Sequence, residues 1–207
     1  MRLIRGQADV DQGAAWLADR EPVFAPVIAR LRPLPVRLRA DGFAAVLQAV
    51  VGQQVSTASA AAIWARVEAA GLTRETAVLA AGEDGLRACG LSRPKIRYTL
   101  GIAGAGVDWA GLRDMGDAAA RSALISLPGI GPWTAEIYLL SSLGRADAFP
   151  SGDLALQEAA RVLFERDARP TARQLERLAD NWSPWRAVAA RALWAYYRDI
   201  KGREGVA

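Results

Sequence analysis

The chain has 207 residues, of which 52% are apolar, and its formal net charge is +4. This length and composition allow a buried hydrophobic core, which excludes the disordered and fibrous classes. No stretch reaches the roughly 18 consecutive apolar residues of a membrane span, and the first residues lack the apolar core of a signal peptide, so we expect a cytoplasmic protein with no membrane partner.

The absence of histidine and the presence of a single cysteine, Cys89, restrict the chemistry of this chain. They exclude His/Cys metal sites, nucleophile systems that need histidine, four-Cys iron–sulfur clusters and internal disulfides. Catalysis would therefore use carboxylates, hydroxyls, amides or aromatic rings. Lys95 and Lys201 are the only lysines among 26 basic residues, and a GC-rich genome explains this arginine bias as readily as phosphate recognition does.

The spacing of apolar residues is helical along nearly the whole chain, which predicts an all-α fold. Residues 43–51 are apolar almost all round, as expected for a buried helix that ends at Gly52. Ser56 is a predicted N-cap for a helix that reaches Gly71. Further helices are predicted from Thr73, from Glu83 up to Gly90, from 92–94 onward, and over 117–127, 133–143, 154–164, 171–181 and 184–200.

A nine-residue motif, Leu-Pro-Gly-Ile-Gly-Pro-Trp-Thr-Ala, occupies residues 127–135 between two predicted helices. Gly129 and Gly131 permit a tight hairpin whose backbone amides stay uncovered, and a new helix begins at Pro132. Such amides and a helix N-terminus together can hold a DNA phosphate without a charged side chain. A Gly-x-Gly alone also fits an ordinary αα-hairpin, but the whole string is typical of the helix-hairpin-helix motif.

A rigid turn, Phe-Pro-Ser-Gly-Asp at residues 149–153, places Asp153 22 residues after Gly131. Asp153 directly precedes an apolar helix, so it is predicted to be an N-cap, and capping alone would explain an isolated Asp here. With the hairpin upstream, however, the pair resembles the helix-hairpin-helix superfamily of DNA glycosylases, in which a Gly/Pro-rich loop and an Asp follow the hairpin at this spacing.

The resemblance extends over roughly residues 43–197. The loop at 51–56 is similar to the family's loop that fills the gap left by an extruded base, and segments 181–186 and 192–197 are similar to the closing helix of the alkylbase branch. The chain most resembles the 3-methyladenine DNA glycosylase II, or AlkA, type. Too few residues precede the Gln53-Gln54 loop for the N-terminal β domain of that type.

The resemblance implies two helical domains, one formed by residues 1–41 with 146–207 and one by residues 42–145, with an active cleft between them. Asp153 is then the catalytic residue, because a carboxylate near C1′ stabilises the positive charge that develops on the sugar as the base leaves. Trp133 and Trp194 would line the base pocket, and Gln54 would be the DNA wedge. Core packing is the alternative for the two tryptophans, and a helix-ending polar residue is the alternative for Gln54.

The resemblance also bears on the type of reaction. Trp133 occupies the position at which bifunctional relatives have the lysine that forms a Schiff base, and neither lysine of this chain belongs to the motif, so we expect no lyase step. No cofactor is required, although a monovalent or alkaline-earth cation on hairpin carbonyls near 127–131 is a feature of the family's fold.

Phosphate contacts are expected at Gly129, Gly131 and Thr134. Additional contacts are expected from basic residues on two helices: Arg93, Lys95, Arg97, Arg186 and Arg191. Any one of these residues is otherwise a solvated surface charge.

The sequence therefore predicts a monomeric, nucleoid-associated, monofunctional DNA glycosylase that flips out and excises alkylated bases such as 3-methyladenine and 7-methylguanine from double-stranded DNA. Two alternatives stay open at this point. One is a non-catalytic helix-hairpin-helix module that binds the DNA backbone. The other is a glycosylase for a different lesion, such as an oxidised or mismatched base.

Overall fold

The structure is a computed structural model that describes residues 1–202. This part of the chain is helical apart from loops and one isolated β-bridge between Leu3 and Arg145, so the predicted all-α class is confirmed. None of the described helices is long and apolar enough to cross a membrane. The α-helices over residues 1–202 are α1 (Gln7–Arg20), α2 (Phe24–Leu31), α3 (Phe43–Gly52), α4 (Thr57–Ala69), α5 (Glu75–Ala88), α6 (Arg93–Ala103), α7 (Asp117–Ile125), α8 (Pro132–Ser141), α9 (Leu154–Leu163), α10 (Ala172–Ala179) and α11 (Arg186–Lys201).

The chain divides into two compact units. Unit 1 comprises Met1–Leu38 and Leu139–Ala207, of which 203–207 lie outside the described residues, and unit 2 comprises Arg39–Tyr138. These boundaries fall three and seven residues before the expected ones at 41/42 and 145/146. The second boundary lies within α8, so the hairpin belongs to unit 2 and the Asp153 turn to unit 1.

Unit 2 is built around the apolar helix α3 and its neighbours. One face of α3 is fully buried, and α6 packs against both α3 and α5. The predicted cap of α4 is confirmed, since Ser56 Oγ accepts a hydrogen bond from the Ser59 amide at 3.2 Å. Gly82 has a positive φ of 60° and interrupts α5. This break explains why the sequence predicted two short helices there.

Unit 1 has an aromatic core around Trp182, which has no exposed surface. Its ring stacks on Phe164 and meets Phe24 and Phe149 edge-on, with centroid distances of 5.2–5.9 Å. Edge-to-face and offset-stacked pairs are the favoured aromatic geometries. Helices α1, α2 and α9 pack against the long, buried helix α11.

Helices α1 and α2 were not predicted from the sequence. In α1 the buried residues Val10, Ala14 and Leu17 recur at helical spacing, but the helix is otherwise polar and begins without a side-chain cap. In α2 the buried residues Phe24 and Val27 show the same spacing over only eight residues. Both helices have a periodic signal, but neither begins with a capping side chain, which is the residue that marks a helix start.

The loop between α8 and α9 is held by backbone hydrogen bonds on two sides. The Ile4 amide donates to Gly144 O at 2.7 Å, and the Ala146 amide donates to Arg2 O at 3.1 Å. At the start of α11, the Ala187 amide donates to Ala146 O at 2.9 Å. The loop that leads to Asp153 is therefore fixed between the N-terminal residues and α11.

A half-buried ion pair reinforces this loop. Arg186 donates to the Asp147 carboxylate through Nε at 2.9 Å and Nη2 at 2.8 Å, a bidentate geometry that is stronger than a single contact. Ser183 Oγ also donates to Asp147, at 2.9 Å. The residues before α11 are thereby joined to the loop that follows α8.

The contact between Gly144 and Ile4 gives a test of this anchoring. Gly144 has a φ of +64°, and a Cβ there would lie 2.5 Å from the Ile4 carbonyl oxygen. Gly106 has a nearly equal φ of +63° with no atom within 4 Å of its Cβ position. A left-handed alanine costs about 1–2 kcal/mol at either site, and Gly144→Ala must also break the Ile4 hydrogen bond, at about 0.5–1.5 kcal/mol more.

We therefore expect Gly144→Ala to lower the free energy of unfolding in urea more than the matched control Gly106→Ala does. Equal losses in the two variants would contradict the anchoring role of the Ile4 contact.

Candidate functional site

The hairpin of residues 127–131 joins α7 to α8 in unit 2. Its turn is closed by a hydrogen bond from the Ile130 amide to Leu127 O at 3.2 Å, and both of these side chains are buried. Gly129 has a φ of +78°, and a Cβ there would lie 2.5 Å from the ring of Tyr98. Glycine is thus required at position 129 by the conformation and by the close approach of Tyr98.

The other hairpin glycine faces open space. Gly131 is exposed, its φ is outside the left-handed region, and no atom lies within 4 Å of its Cβ position. The next residue begins α8, and amides in the first turn of a helix lack intrahelical acceptors and lie at the positive end of the helix dipole. Thr134 lies in this first turn with its side chain 6% exposed. The exposed backbone at Gly131 is therefore a candidate anion site.

The predicted wedge residue is in the turn between α3 and α4. Gln54 is exposed and has a φ of +55°, a region that non-glycine residues rarely occupy. Sequence reasoning missed its neighbour Gln53, whose Nε2 donates to Gly129 O at 3.0 Å. A second amide beside Gln54 was the signal available in the sequence. The structure thus brings the wedge turn and the hairpin together within unit 2.

Asp153 lies at the N-terminus of α9 in unit 1, as predicted. Its Oδ1 accepts hydrogen bonds from the amides of Ala155 at 2.9 Å and Leu156 at 3.1 Å, so it is the N-cap of the helix. Its own amide donates to Pro150 O at 2.9 Å, and Gln157 Nε2 donates to Ser151 O at 2.9 Å. These bonds hold a half-buried carboxylate in one orientation at the positive end of a helix.

The two candidate pocket tryptophans differ in exposure. Trp133 is in the first turn of α8 in unit 2 and is 37% exposed. Trp194 is in α11 of unit 1 and is 2% exposed, and among the described residues its Nε1 has no hydrogen-bond partner. Trp182, in the aromatic core of unit 1, likewise has an Nε1 with no partner among the described residues, so neither burial nor the unpaired indole N–H distinguishes Trp194 from a core residue.

Two of the basic residues expected to contact phosphate are buried, so that expectation is wrong for them. Lys95 is 8% exposed and its Nζ donates to Val51 O at 2.7 Å, and burial lowers the pKa of this amine. Arg191 is fully buried, and desolvation lowers its pKa to about 10. Its guanidinium donates to Val36 O at 3.0 and 2.8 Å and to Ala187 O at 2.9 Å.

The other three basic residues divide between the units. Arg186 is engaged with Asp147 in unit 1, as described above. Arg93 and Arg97 are exposed on α6 of unit 2. They stay predicted phosphate contacts.

The hairpin cation implied by the sequence resemblance would be held by backbone carbonyls. Leu127 O and Gly129 O each accept one hydrogen bond, so each keeps a second lone pair that could bind a hard cation. Among residues 1–202 no group of three His, Cys, Asp or Glu side chains could hold a metal ion.

Comparison with known proteins identifies relatives of the chain. A Mycobacterium tuberculosis protein named probable bifunctional transcriptional activator/DNA repair enzyme AlkA is 42% identical over 90 residues, which are 44% of this chain and 16% of that protein. DNA-3-methyladenine glycosylase 1 of Schizosaccharomyces pombe is 28% identical over 179 residues, which are 81% of this chain and 78% of that protein. The chain thus spans only a small part of the first of these relatives and most of the second.

The fold is also found in solved structures. The crystal structure of a DNA-3-methyladenine glycosidase from Bacillus halodurans matches with a TM-score of 0.81 at 24% identity, covering 98% of this chain and 95% of that one. The family model described as HhH-GPD superfamily base excision DNA repair protein matches residues 47–184, which include the wedge turn, the hairpin and the Asp153 turn. This chain belongs to the HhH-GPD superfamily of base excision DNA repair proteins.

Proposed function

We propose that this chain is a monofunctional DNA glycosylase that excises alkylated bases, such as 3-methyladenine and 7-methylguanine, from double-stranded DNA and leaves an abasic site. The observation that carries the proposal is the Asp153 carboxylate, which two backbone amides fix at the start of α9 in a chain that also has the hairpin. A module that only bound the DNA backbone would not need this carboxylate. The names of the S. pombe and B. halodurans relatives support alkylated purines as the lesion class.

The proposed reaction uses the charge of Asp153. As the bond between base and deoxyribose breaks, positive charge develops on the sugar, and a preorganised carboxylate near C1′ stabilises that charge. The base must first leave the duplex stack, which costs a few kcal/mol and costs least for damaged or poorly paired bases. Gln54 would fill the gap in the stack, and the exposed turn that presents it supports that role.

The lesion preference follows from the chemistry of the base. Methylation at purine N3 or N7 makes the base cationic, and cations are attracted to the faces of tryptophan rings. In the proposal Trp133 and Trp194 provide these faces. Trp133, which is 37% exposed, supports the assignment more than Trp194, which is 2% exposed. The positive charge also improves the leaving group, so we expect several alkylated bases to be released.

The lack of a lyase step rests on the two lysines. The amine of Lys95 is buried against Val51 O, where it cannot attack a sugar. Lys201 lies at the end of α11, with its Nζ 3.9 Å from a Glu158 carboxylate oxygen. A Schiff base needs an amine that can reach the sugar, and Lys201 lies outside the hairpin motif in which bifunctional relatives place their lysine. The proposed product is therefore a free base and an uncut abasic strand.

We propose that its partner is double-stranded DNA with alkylated bases and that it works at the nucleoid in the cytoplasm. We propose that it acts as a monomer, since one chain contains the hairpin, the wedge turn and Asp153.

Replacing Asp153 by Asn tests the catalytic assignment. The amide oxygen preserves the capping bonds to Ala155 and Leu156 but removes the negative charge. We expect the single-turnover rate of base release to fall by far more than about tenfold, the equivalent of 1.4 kcal/mol, with DNA affinity nearly unchanged. Asp108→Asn is the matched control, because Asp108 Oδ1 also accepts a backbone amide, that of Gly111, at 2.9 Å. A rate for Asp153→Asn above about a tenth of the wild-type rate would refute the assignment.

Replacing Gly131 by Val tests the phosphate site. A Cβ at Gly131 meets no atom within 4 Å, so the side chain would extend into the open space beside the hairpin backbone. We expect affinity for all duplexes to fall by about tenfold with lesion preference retained. Gly116→Val is the control, since Gly116 precedes α7, has a φ of −62° and also has an open Cβ position. Equal affinities of the two folded variants in fluorescence anisotropy would show that Gly131 does not contact phosphate.

A further inference from the structure

The wedge turn, residues 53–56 between α3 and α4, contains a backbone conformation that costs free energy. α3 ends at Gly52, and Gln54 follows with its φ of +55° in the left-handed region. A non-glycine residue persists there only when surrounding contacts offset the conformational cost, and such residues concentrate at functional positions. The contacts that hold this turn are therefore informative about its role.

The first contact comes from a buried lysine. The C-terminal carbonyls of a helix have no intrahelical donor and lie at the negative end of its dipole. Lys95 Nζ donates to one of these carbonyls, Val51 O, at 2.7 Å from within α6. A buried amine that pairs with a carbonyl and not with a carboxylate is costly to desolvate. Its placement against Val51 O, three residues before Gln54, therefore requires an explanation.

The second contact joins the turn to the hairpin. Gln53 Nε2 donates to Gly129 O at 3.0 Å, across 76 positions of the sequence. Helix α6 also contacts the hairpin, since Cβ atoms at Gly129 and Gly101 would lie 2.5 Å from Tyr98 and 2.7 Å from Pro128. The same helix thus supports both the end of α3 and the hairpin, and Gln53 closes the link between them.

We propose that Gln53, supported by Lys95, is a positioning residue that sets the wedge turn at a fixed place relative to the phosphate held by the hairpin. The inference deepens the proposed function and rests on it. When the hairpin binds a phosphate, the Gln53 bond to Gly129 O fixes the position of Gln54 relative to that phosphate. Gln54 then enters the stack at the lesion. Gln53 acts on the extrusion of the base and not on the bond cleavage that follows.

This role predicts an effect that depends on how the damaged base is stacked. Gln53→Glu is isosteric, but it replaces the Nε2 donor by an oxygen that faces Gly129 O. The experiment measures single-turnover release of 7-methylguanine from two duplexes, one with the lesion paired and one with the lesion in a single-base bulge. We expect the rate to fall about tenfold with the paired lesion and less than about twofold with the bulge. In the bulge no base of the opposite strand faces the gap left by extrusion, so the wedge is not needed there.

Gln48→Glu is the matched control, because it adds the same charge to the exposed face of α3, and we expect it to behave as wild type with both duplexes. Lys95→Met removes the donor to Val51 O and should give the same difference in rate loss between the two duplexes as Gln53→Glu. It provides the test if Gln53→Glu does not fold. The fluorescence of 2-aminopurine beside the lesion should show slower extrusion in the variants that lose the link.

The outcomes separate the two proposals. Equal losses with the paired and bulged lesions in a folded variant would overturn the positioning role, because a merely structural defect affects both duplexes alike. A loss in Gln48→Glu equal to that in Gln53→Glu would also overturn it, since charge would then be the cause. Release of no base by wild-type protein from either duplex would refute the proposed function itself.

Discussion

The hydrogen bonds that hold the loop between α8 and α9 determine the position of the carboxylate on which the proposed chemistry depends. Gly144 and Ala146 pair with the first residues of the chain, and Ala146 and Asp147 are joined to the start of α11. Electrostatic stabilisation of a developing cation requires a charge that is already in place, because a mobile carboxylate would spend free energy on reorientation. The N-terminal residues of unit 1 therefore help to fix the position of the Asp153 carboxylate, although they are far from it in sequence.

In unit 2, helix α6 contacts both the hairpin and the end of α3, the two elements whose relative position matters. This helix contacts the hairpin through Tyr98 and the end of α3 through Lys95. Backbone amides at a hairpin supply affinity for phosphate but no information about the base, so the residues that enter the stack must be positioned against them. In the proposal, α6 supports the end of α3 through the hydrogen bond from Lys95 to Val51 O and supports the hairpin through the ring of Tyr98. Gln53 adds a direct link between the two elements.

The features that the sequence predicted correctly depend on residues close together in the chain. The caps at Ser56 and Asp153 follow from side chains that reach amides two or three positions away. Burial of Lys95 could not be predicted this way, because its acceptor is 44 positions distant, and the Arg191 acceptor Val36 is 155 positions distant. Arginine and lysine in a helix are usually surface residues, and only tertiary packing shows which of them are not. The hairpin string was specific enough to indicate the family, whereas Gln53 needed the observed contact with Gly129.

The central claim is that this chain cleaves the bond between an alkylated base and its sugar. Its most direct test is incubation of the wild-type protein with methylated duplex DNA, followed by chromatographic identification of the released bases and electrophoresis of the strand before and after alkali. We expect free 3-methyladenine and 7-methylguanine and a strand that breaks only after alkali. Tight DNA binding without release of any base would contradict it and would leave a DNA-binding module, and a strand cut without alkali would contradict the monofunctional reaction.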